Sequence, residues 1–191
     1  MDIKEQILRY RPVNAQEECD RALLLQYLEQ PDIFTRENKT AHFTASAWVV
    51  NAAHDKVLLL WHNIYRSWTW AGGHADGERD LLAVALREVQ EETGLHSVRP
   101  VSEELLSLEI LTVNGHEKRG QYVPGHLHLN CTYLLEADEN EPLTAKEDEN
   151  SGVRWFLPEQ VTEVSDEVWM CERIYPKLNA KAIRPAEKNH Y

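Results

Sequence analysis

The stretch from Trp68 to Leu95 constrains this chain more than any other. It reads Trp-Thr-Trp-Ala-Gly-Gly-His-Ala-Asp-Gly-Glu-Arg, then a leucine- and alanine-rich run, then Arg87-Glu88-Val89-Gln90-Glu91-Glu92-Thr93-Gly94-Leu95. The pattern predicts strand, glycine loop and acidic helix, in that order. Asp80 suits the N-cap of a helix with Leu81 to Leu86 in its interior, because its carboxylate accepts from the unpaired N–H groups of the first turn. Gly94 supplies the left-handed residue at which many helices end. At about 100° per residue, Leu82, Ala85, Leu86 and Val89 are expected to share a buried stripe, with Glu88, Glu91 and Glu92 on a separate arc.

Glu88 and Glu92 are like charges at i, i+4, which costs a helix a few tenths of a kcal/mol unless something compensates them. A divalent cation would do so, and oxygen-only ligands suit a hard ion such as Mg²⁺ or Mn²⁺. Arg87, one turn before Glu91, can hold that carboxylate in place. The ordinary alternative for such a helix is a solvated acidic face. Gly72-Gly73 weighs against it, since paired glycines let backbone approach a ligand closely and a helix N-terminus favours phosphate. His74 follows the double glycine and reads either as a contact to that phosphate or as a loop anchor.

These residues resemble the Nudix box, Gly-x5-Glu-x7-Arg-Glu-U-x-Glu-Glu-x-Gly-U, in which U is a bulky aliphatic residue. Gly73, Arg87-Glu88-Val89, Glu91-Glu92 and Gly94-Leu95 match at the family spacing. One position departs: the first glutamate of the pattern falls on Arg79, with Glu78 one residue early. The resemblance implies an α/β fold, a Nudix-like α/β/α sandwich with a mixed sheet. It also implies metal-dependent hydrolysis of the pyrophosphate bond of a nucleoside diphosphate linked to another moiety. Glu88, Glu91 and Glu92, with the Gly72 carbonyl, would then hold Mg²⁺, with Mn²⁺ as an alternative. A further glutamate often comes from a loop after the box in this family, and Glu149, just before Val153-Arg154-Trp155-Phe156, is the candidate; it or a box glutamate would be the base.

Two other readings of the same scaffold stand beside that one. An isopentenyl-diphosphate isomerase-like enzyme places a catalytic cysteine on the strand before its box-like segment, and Trp68-Thr69-Trp70-Ala71 has none. A nucleotide-binding sensor without catalysis need not keep Glu88, Glu91 and Glu92, yet all three are present.

The rest of the chain supplies the frame. Ile3, Ile7, Leu8 and Tyr10 are helically spaced and stop at Arg11-Pro12; Asn14 and Glu17 form a capping-box-like start for a second helix that Pro31 ends. Residues 1–40 are therefore expected to form a helical arm on a domain spanning 41–191, covering one side, mediating a homodimer or shaping the substrate entrance. Phe43 to Val50 and Val57 to Trp61 predict a β-hairpin, and Leu105 to Val113 a strand. A polar loop through His116, Arg119 and Gly125 follows. On the strand from His126 to Glu136, His126, His128, Asn130 and Thr132 share one face, which calls for a wet or ligand-filled neighbour. His126 and His128 read as a second metal or phosphate-contacting pair, or as part of an ordinary polar sheet face. The acidic run from Glu136 to Asn150 reads as a solvated loop. Pro158 begins a short turn or helix, Ser165 caps a C-terminal helix through Ile174 with Pro176 as kink or stop, and the last dozen residues are expected to fray.

Composition narrows the function classes. A chain of 191 residues suffices for one good core with an appendage. Acidic residues outnumber basic ones by 32 to 20, and no basic cluster interleaved with aromatics appears, which disfavours bulk nucleic-acid binding. The expected partner is a small, nucleotide-derived pyrophosphate. Cys19, Cys131 and Cys171 are odd in number and lack CxxC spacing, arguing against disulfides or structural zinc and for a reducing cytoplasm. No basic-then-apolar leader opens the chain and no apolar run reaches the roughly 20 residues of a membrane helix, so no membrane contact is expected.

Overall fold

The structure, a computed structural model, describes residues 1–118 and 120–184. Arg119, expected in the polar loop, and 185–191, most of the stretch expected to fray, lie outside the described residues. The fold is α/β, and its elements begin with α1 (Ile3–Arg9), α2 (Ala15–Tyr27), β1 (Ala41–Asn51), β2 (Val57–His62), β3 (Ser67–Thr69), β4 (Ala71–His74) and α3 (Leu81–Thr93). After these come β5 (Arg99–Val113), β6 (His116–Lys118), β7 (Gln121–Val123), β8 (His126–Ala137), β9 (Asn150–Phe156), α4 (Val161–Val164) and α5 (Tyr175–Ala182). Two compact units interleave along the chain. One comprises Met1–Ser46, Gly72–Ala85 and Glu103–Tyr133; the other comprises Ala47–Ala71, Leu86–Ser102 and the chain from Leu134 onward.

In the first unit β4 and β8 pair with β1, and β8 pairs with β5. The Asn14 side chain accepts from the Glu17 N–H at 2.9 Å, and the Glu17 carboxylate accepts from Val13 N–H at 2.9 Å, a reciprocal cap set one residue early. Arg21 donates to the Ile7 and Leu8 carbonyls at the end of α1, tying the two helices together. Ile3, Ile7 and Leu24 are buried, and Tyr10 Oη donates to the Leu106 carbonyl on β5 at 3.3 Å. The helices of residues 1–40 thus contribute to the core of this unit.

Every residue of β1 is buried, including His42, Thr44 and Ser46. This answers the need of the polar face on β8. Thr44 Oγ1 and Ser46 Oγ donate to Asn130 Oδ1 at 3.0 and 2.9 Å, while Asn130 Nδ2 donates to Glu109 Oε2 at 3.1 Å and Thr132 Oγ1 at 3.0 Å. The Ser107 hydroxyl sits between the carboxylates of Glu17 and Glu109. Buried polar groups cost little only when partnered, and here three strands and a helix supply the partners.

Two expectations for this part of the chain need correction. The strand expected from Leu105 begins at Arg99; residues 99–104 are all exposed and so carry no alternation of buried and exposed positions that would mark them as strand. The stretch expected as a plain loop after Val113 contains the β6–β7 hairpin, with His116 opposite Val123 and Lys118 opposite Gln121. Its polar strands carry no period-2 pattern, and Gly120 at φ +75° makes the turn.

In the second unit the expected hairpin is present, with Val49 opposite Leu58. β3 continues along β2, with Leu60 opposite Thr69, while β9 pairs β2 from Val57–Phe156 to His62–Asn150. Trp48 stacks on Tyr175 at 5.3 Å between ring centroids, and Tyr175 Oη bonds Thr69 Oγ1 at 3.1 Å. Of the two roles expected for Pro176, kink or stop, the stop is not what the structure shows: the helical turns from Val168 pass through a π-turn into α5, with Pro176 in its first turn. That π-turn, over Met170–Ile174, rearranges the backbone bonds, so the missing N–H falls in the first turn, where it is tolerated. The acidic run is more than a solvated loop, since Glu141 accepts from the His96 and Ser97 N–H groups at 2.7 and 3.0 Å. All three cysteines are free, and no helix among the described residues is long and apolar enough to cross a membrane.

Glu167 in this unit carries a pH dependence. Its Oε1 is buried without a hydrogen-bond partner among the described residues, and burial pushes its pKa from 4.5 up to about 7. The folded chain therefore retains a proton that the unfolded chain releases. The contribution of Glu167 to stability is fullest below pH 4.5 and falls as the pH rises towards 7. Glu167→Gln is expected to raise Tm by several degrees at about pH 8 and to leave it unchanged at about pH 4. Equal melting temperatures of the two proteins at the higher pH would show that the carboxylate is solvated.

Candidate functional site

Helix α3 is capped as its sequence predicts. Asp80 Oδ1 accepts from the Ala83 N–H at 3.1 Å, and Gly94 follows at φ +73°. A Cβ on Gly94 would lie 3.0 Å from Thr144 Cβ, so both conformation and space call for glycine. The buried stripe is not the expected one. Leu81, Val84, Ala85 and Val89 are buried, whereas Leu82 and Leu86 are half-buried, a rotation of about 80° from the arc through the larger leucines. Glu92 falls inside the buried arc, 4% exposed, rather than on a separate face. The Glu88 side chain is 15% exposed and that of Glu91 47%, so the three carboxylates grade from core to solvent.

Positive side chains are interleaved with them. Arg87 Nη2 lies 3.1 Å from Glu88 Oε1, and its Nε lies 3.9 Å from Glu91 Oε1. Lys146 Nζ lies 3.2 Å from Glu91 Oε2 and 3.0 Å from Glu149 Oε2. Burial raises the Glu88 pKa; the hydrogen bond and charge of Arg87 oppose this, while the charges of Glu91 and Glu149 add to it. Burial works against the charge on Lys146, but hydrogen bonds to Glu149 and Glu91 prevail and push its pKa up.

Glu149 is held in this group by its own backbone. Its N–H donates to the Lys146 carbonyl at 2.8 Å, its carbonyl accepts from Asn63 N–H at 3.0 Å, and Asn150 Nδ2 next to it donates to the Glu92 carbonyl at 2.9 Å. Lys146 was not singled out from the sequence. Its signal was the i, i+3 spacing to Glu149 in an otherwise acidic run. The oxygen-only donor set fits a hard divalent ion in its chemistry, and the ammonium lodged between Glu91 and Glu149 shows that positive charge is stabilised there.

Glu78 Oε1 accepts from the Arg79 and Asp80 N–H groups at 2.7 and 2.9 Å, so Glu78 supplies the carboxylate that braces the start of α3. The Arg79 guanidinium lies 4.7 Å over the Phe34 ring. Arg79→Glu is expected to cost about 0.5–1 kcal/mol of stability through the lost cation–π contact and to change turnover only a few-fold. A loss of activity by orders of magnitude would return the box role to position 79. Gly72 lies on β4 where a Cβ would meet Ser46 Oγ at 2.6 Å and the Ala45 carbonyl at 2.7 Å, so close packing against β1 alone requires glycine there. Gly73 is half-buried beside it.

The histidines form a second group, within the first unit. His74 on β4 and His126 and His128 on β8 converge with His42 on β1, all four offering ligand nitrogens within 4.8 Å of one another. Burial, and then the neighbouring histidines, push His128 down to about 2, and burial lowers His42. His42 was missed because β1 was read through its apolar members. The available signal was the alternation of His42, Thr44 and Ser46 opposite the polar residues of β8. Two concave regions, one of about 320 Å³ lined by Ser97, Arg99 and residues 136–140 and one of about 220 Å³ lined by Leu28, Phe34 and Arg79, include no member of either group.

Residues 40–177 match the NUDIX domain family. A probable DHNTP pyrophosphohydrolase of Lactococcus lactis is 25% identical over 118 residues, which is 62% of this chain and 69% of that protein. Among solved structures, an Ap4A hydrolase binary complex of C. elegans matches with a TM-score of 0.54 at 20% identity, over 72% of this chain and 95% of that one. The dihydroneopterin triphosphate pyrophosphohydrolase of E. coli matches with a TM-score of 0.55 at 12% identity, over 73% and 96%. These structural likenesses bear on the fold alone.

Proposed function

The chain belongs to the NUDIX domain family, and on that premise we propose that it hydrolyses the pyrophosphate bond of a nucleoside diphosphate linked to another moiety, using a divalent cation. The observation that carries this reading is the gathering of Glu88, Glu91 and Glu149 around positively charged side chains, with Glu92 buried on the same helix.

Glu88, Glu91 and Glu92 would hold Mg²⁺, or Mn²⁺ in its place. The ion would neutralise charge developing on the phosphates and acidify a water. Arg87 orients Glu88 and Glu91, and Lys146 orients Glu91 and Glu149. Glu149, 44% exposed, is within reach of solvent and takes the proton of the attacking water, which forms the new P–O bond as the second phosphate leaves with the bridging oxygen. The raised pKa of Glu88 is what desolvated carboxylates close together produce, and a cation among them would reverse it.

The names of the similar proteins, for diadenosine and dihydroneopterin polyphosphates, suggest which compounds to try first. The deciding experiment offers these two, nucleoside triphosphates, sugar nucleotides and dinucleotide cofactors with Mg²⁺. Cleavage of a pyrophosphate bond in at least one supports the reading. Tight binding of a nucleotide without turnover would instead make the protein a sensor.

A further inference from the structure

We propose that His42, His74, His126 and His128 form a closed binding site for one divalent transition-metal ion of the zinc type, separate from the carboxylates of α3. Three strands of one unit contribute the ligands: β1 gives His42, β4 gives His74, and β8 gives the other two. No carboxylate or thiol belongs to the group. Imidazole nitrogens alone select ions such as Zn²⁺, Co²⁺ or Ni²⁺ over Mg²⁺, which demands oxygen.

Two of the nitrogens are also set up as ligands. His42 Nδ1 lies 3.0 Å from the Asn38 carbonyl and His126 Nδ1 lies 2.9 Å from the Pro124 carbonyl. A carbonyl can only accept, so each ring carries its proton on Nδ1 and turns the lone pair of Nε2 inward, as the second hydrogen bond of a metal-bound histidine usually does. His42 is 4% exposed and its Nε2 is buried without a hydrogen-bond partner among the described residues. A buried polar atom in that state calls for a ligand.

The spacing suits the ion. A tetrahedral site with bonds of about 2.0–2.1 Å has ligand nitrogens roughly 3.3–3.4 Å apart. His126 Nε2 and His128 Nε2 are already 3.2 Å apart, and all four ligand nitrogens lie within 4.8 Å of one another. Four protein ligands leave no position for substrate, so the ion would be structural, tying β4 to β1 and β8.

Tag-free protein stripped with EDTA and titrated with CoCl₂ tests this. We expect one Co²⁺ per chain, with the intense visible absorption of a tetrahedral ion, displaced by ZnCl₂. His126→Gln and His42→Gln are expected to weaken binding at least about tenfold, whereas Glu88→Gln and Glu92→Gln keep the spectrum. Failure of the wild-type protein to bind Co²⁺ or Zn²⁺ stoichiometrically overturns the proposal. So does a weak octahedral spectrum that Glu88→Gln removes and His126→Gln retains. His126 is only half-buried, so His126→Gln gives a folded variant should His42→Gln not fold. Absence of pyrophosphatase activity on every compound leaves the titration unaffected, which keeps the two readings distinguishable.

Discussion

Glu92→Gln is expected to lower hydrolysis of the true substrate by about 10³-fold, equivalent to about 4 kcal/mol of transition-state stabilisation, with little change in Tm. Glutamine has nearly the volume of glutamate, and Glu92 is buried, so the packing of α3 survives the exchange while one negative oxygen is lost. The backbone tie from Asn150 to the Glu92 carbonyl does not involve the side chain and persists. Adding excess Mg²⁺ would recover part of the rate if the loss is one of metal affinity. Unchanged turnover on the true substrate would sink the assignment of Glu92 as a metal ligand.

Asn130→Ala is expected to produce the largest loss of stability, at least about 3 kcal/mol, because it removes one partner from several buried groups at once. The amide now accepts from Thr44 and Ser46 and donates to Thr132 and to the Glu109 carboxylate, all within the core of one unit. A buried carboxylate deprived of a donor is the expensive part of the change. For a chain of this size the corresponding fall in Tm is roughly 6–12 °C, read by thermal denaturation. A fall of only a degree or two would mean that water replaces the amide. Asn130→Ala combined with Thr44→Val would then cost the sum of the two single changes instead of less.

Several elements follow from residues acting on their immediate neighbours. Asp80 and Gly94 bound α3, Asn14 caps α2, and the run from Val57 pairs with β1. Each of these rests on hydrogen bonds or dihedral preferences within a few residues. The box spacing likewise pointed to the family that the match over residues 40–177 shows. Which of kink or stop Pro176 makes depends on a π-turn upstream, and the pairing of β6 with β7 comes from backbone bonds that three-residue strands do not signal.

The sequence by itself determined the ends of the acidic helix and the presence of three glutamates on it, because those depend on local geometry alone. Only the tertiary structure decided which way that helix turns, burying Glu92 with Leu81, Val84 and Val89. It also decided that Lys146 stands among the carboxylates and that His42 joins three other histidines. Helix rotation follows from the summed burial of a whole face, and both encounters join residues tens of positions apart. Local spacing marks Lys146 and local alternation marks His42, but neither names the distant partners.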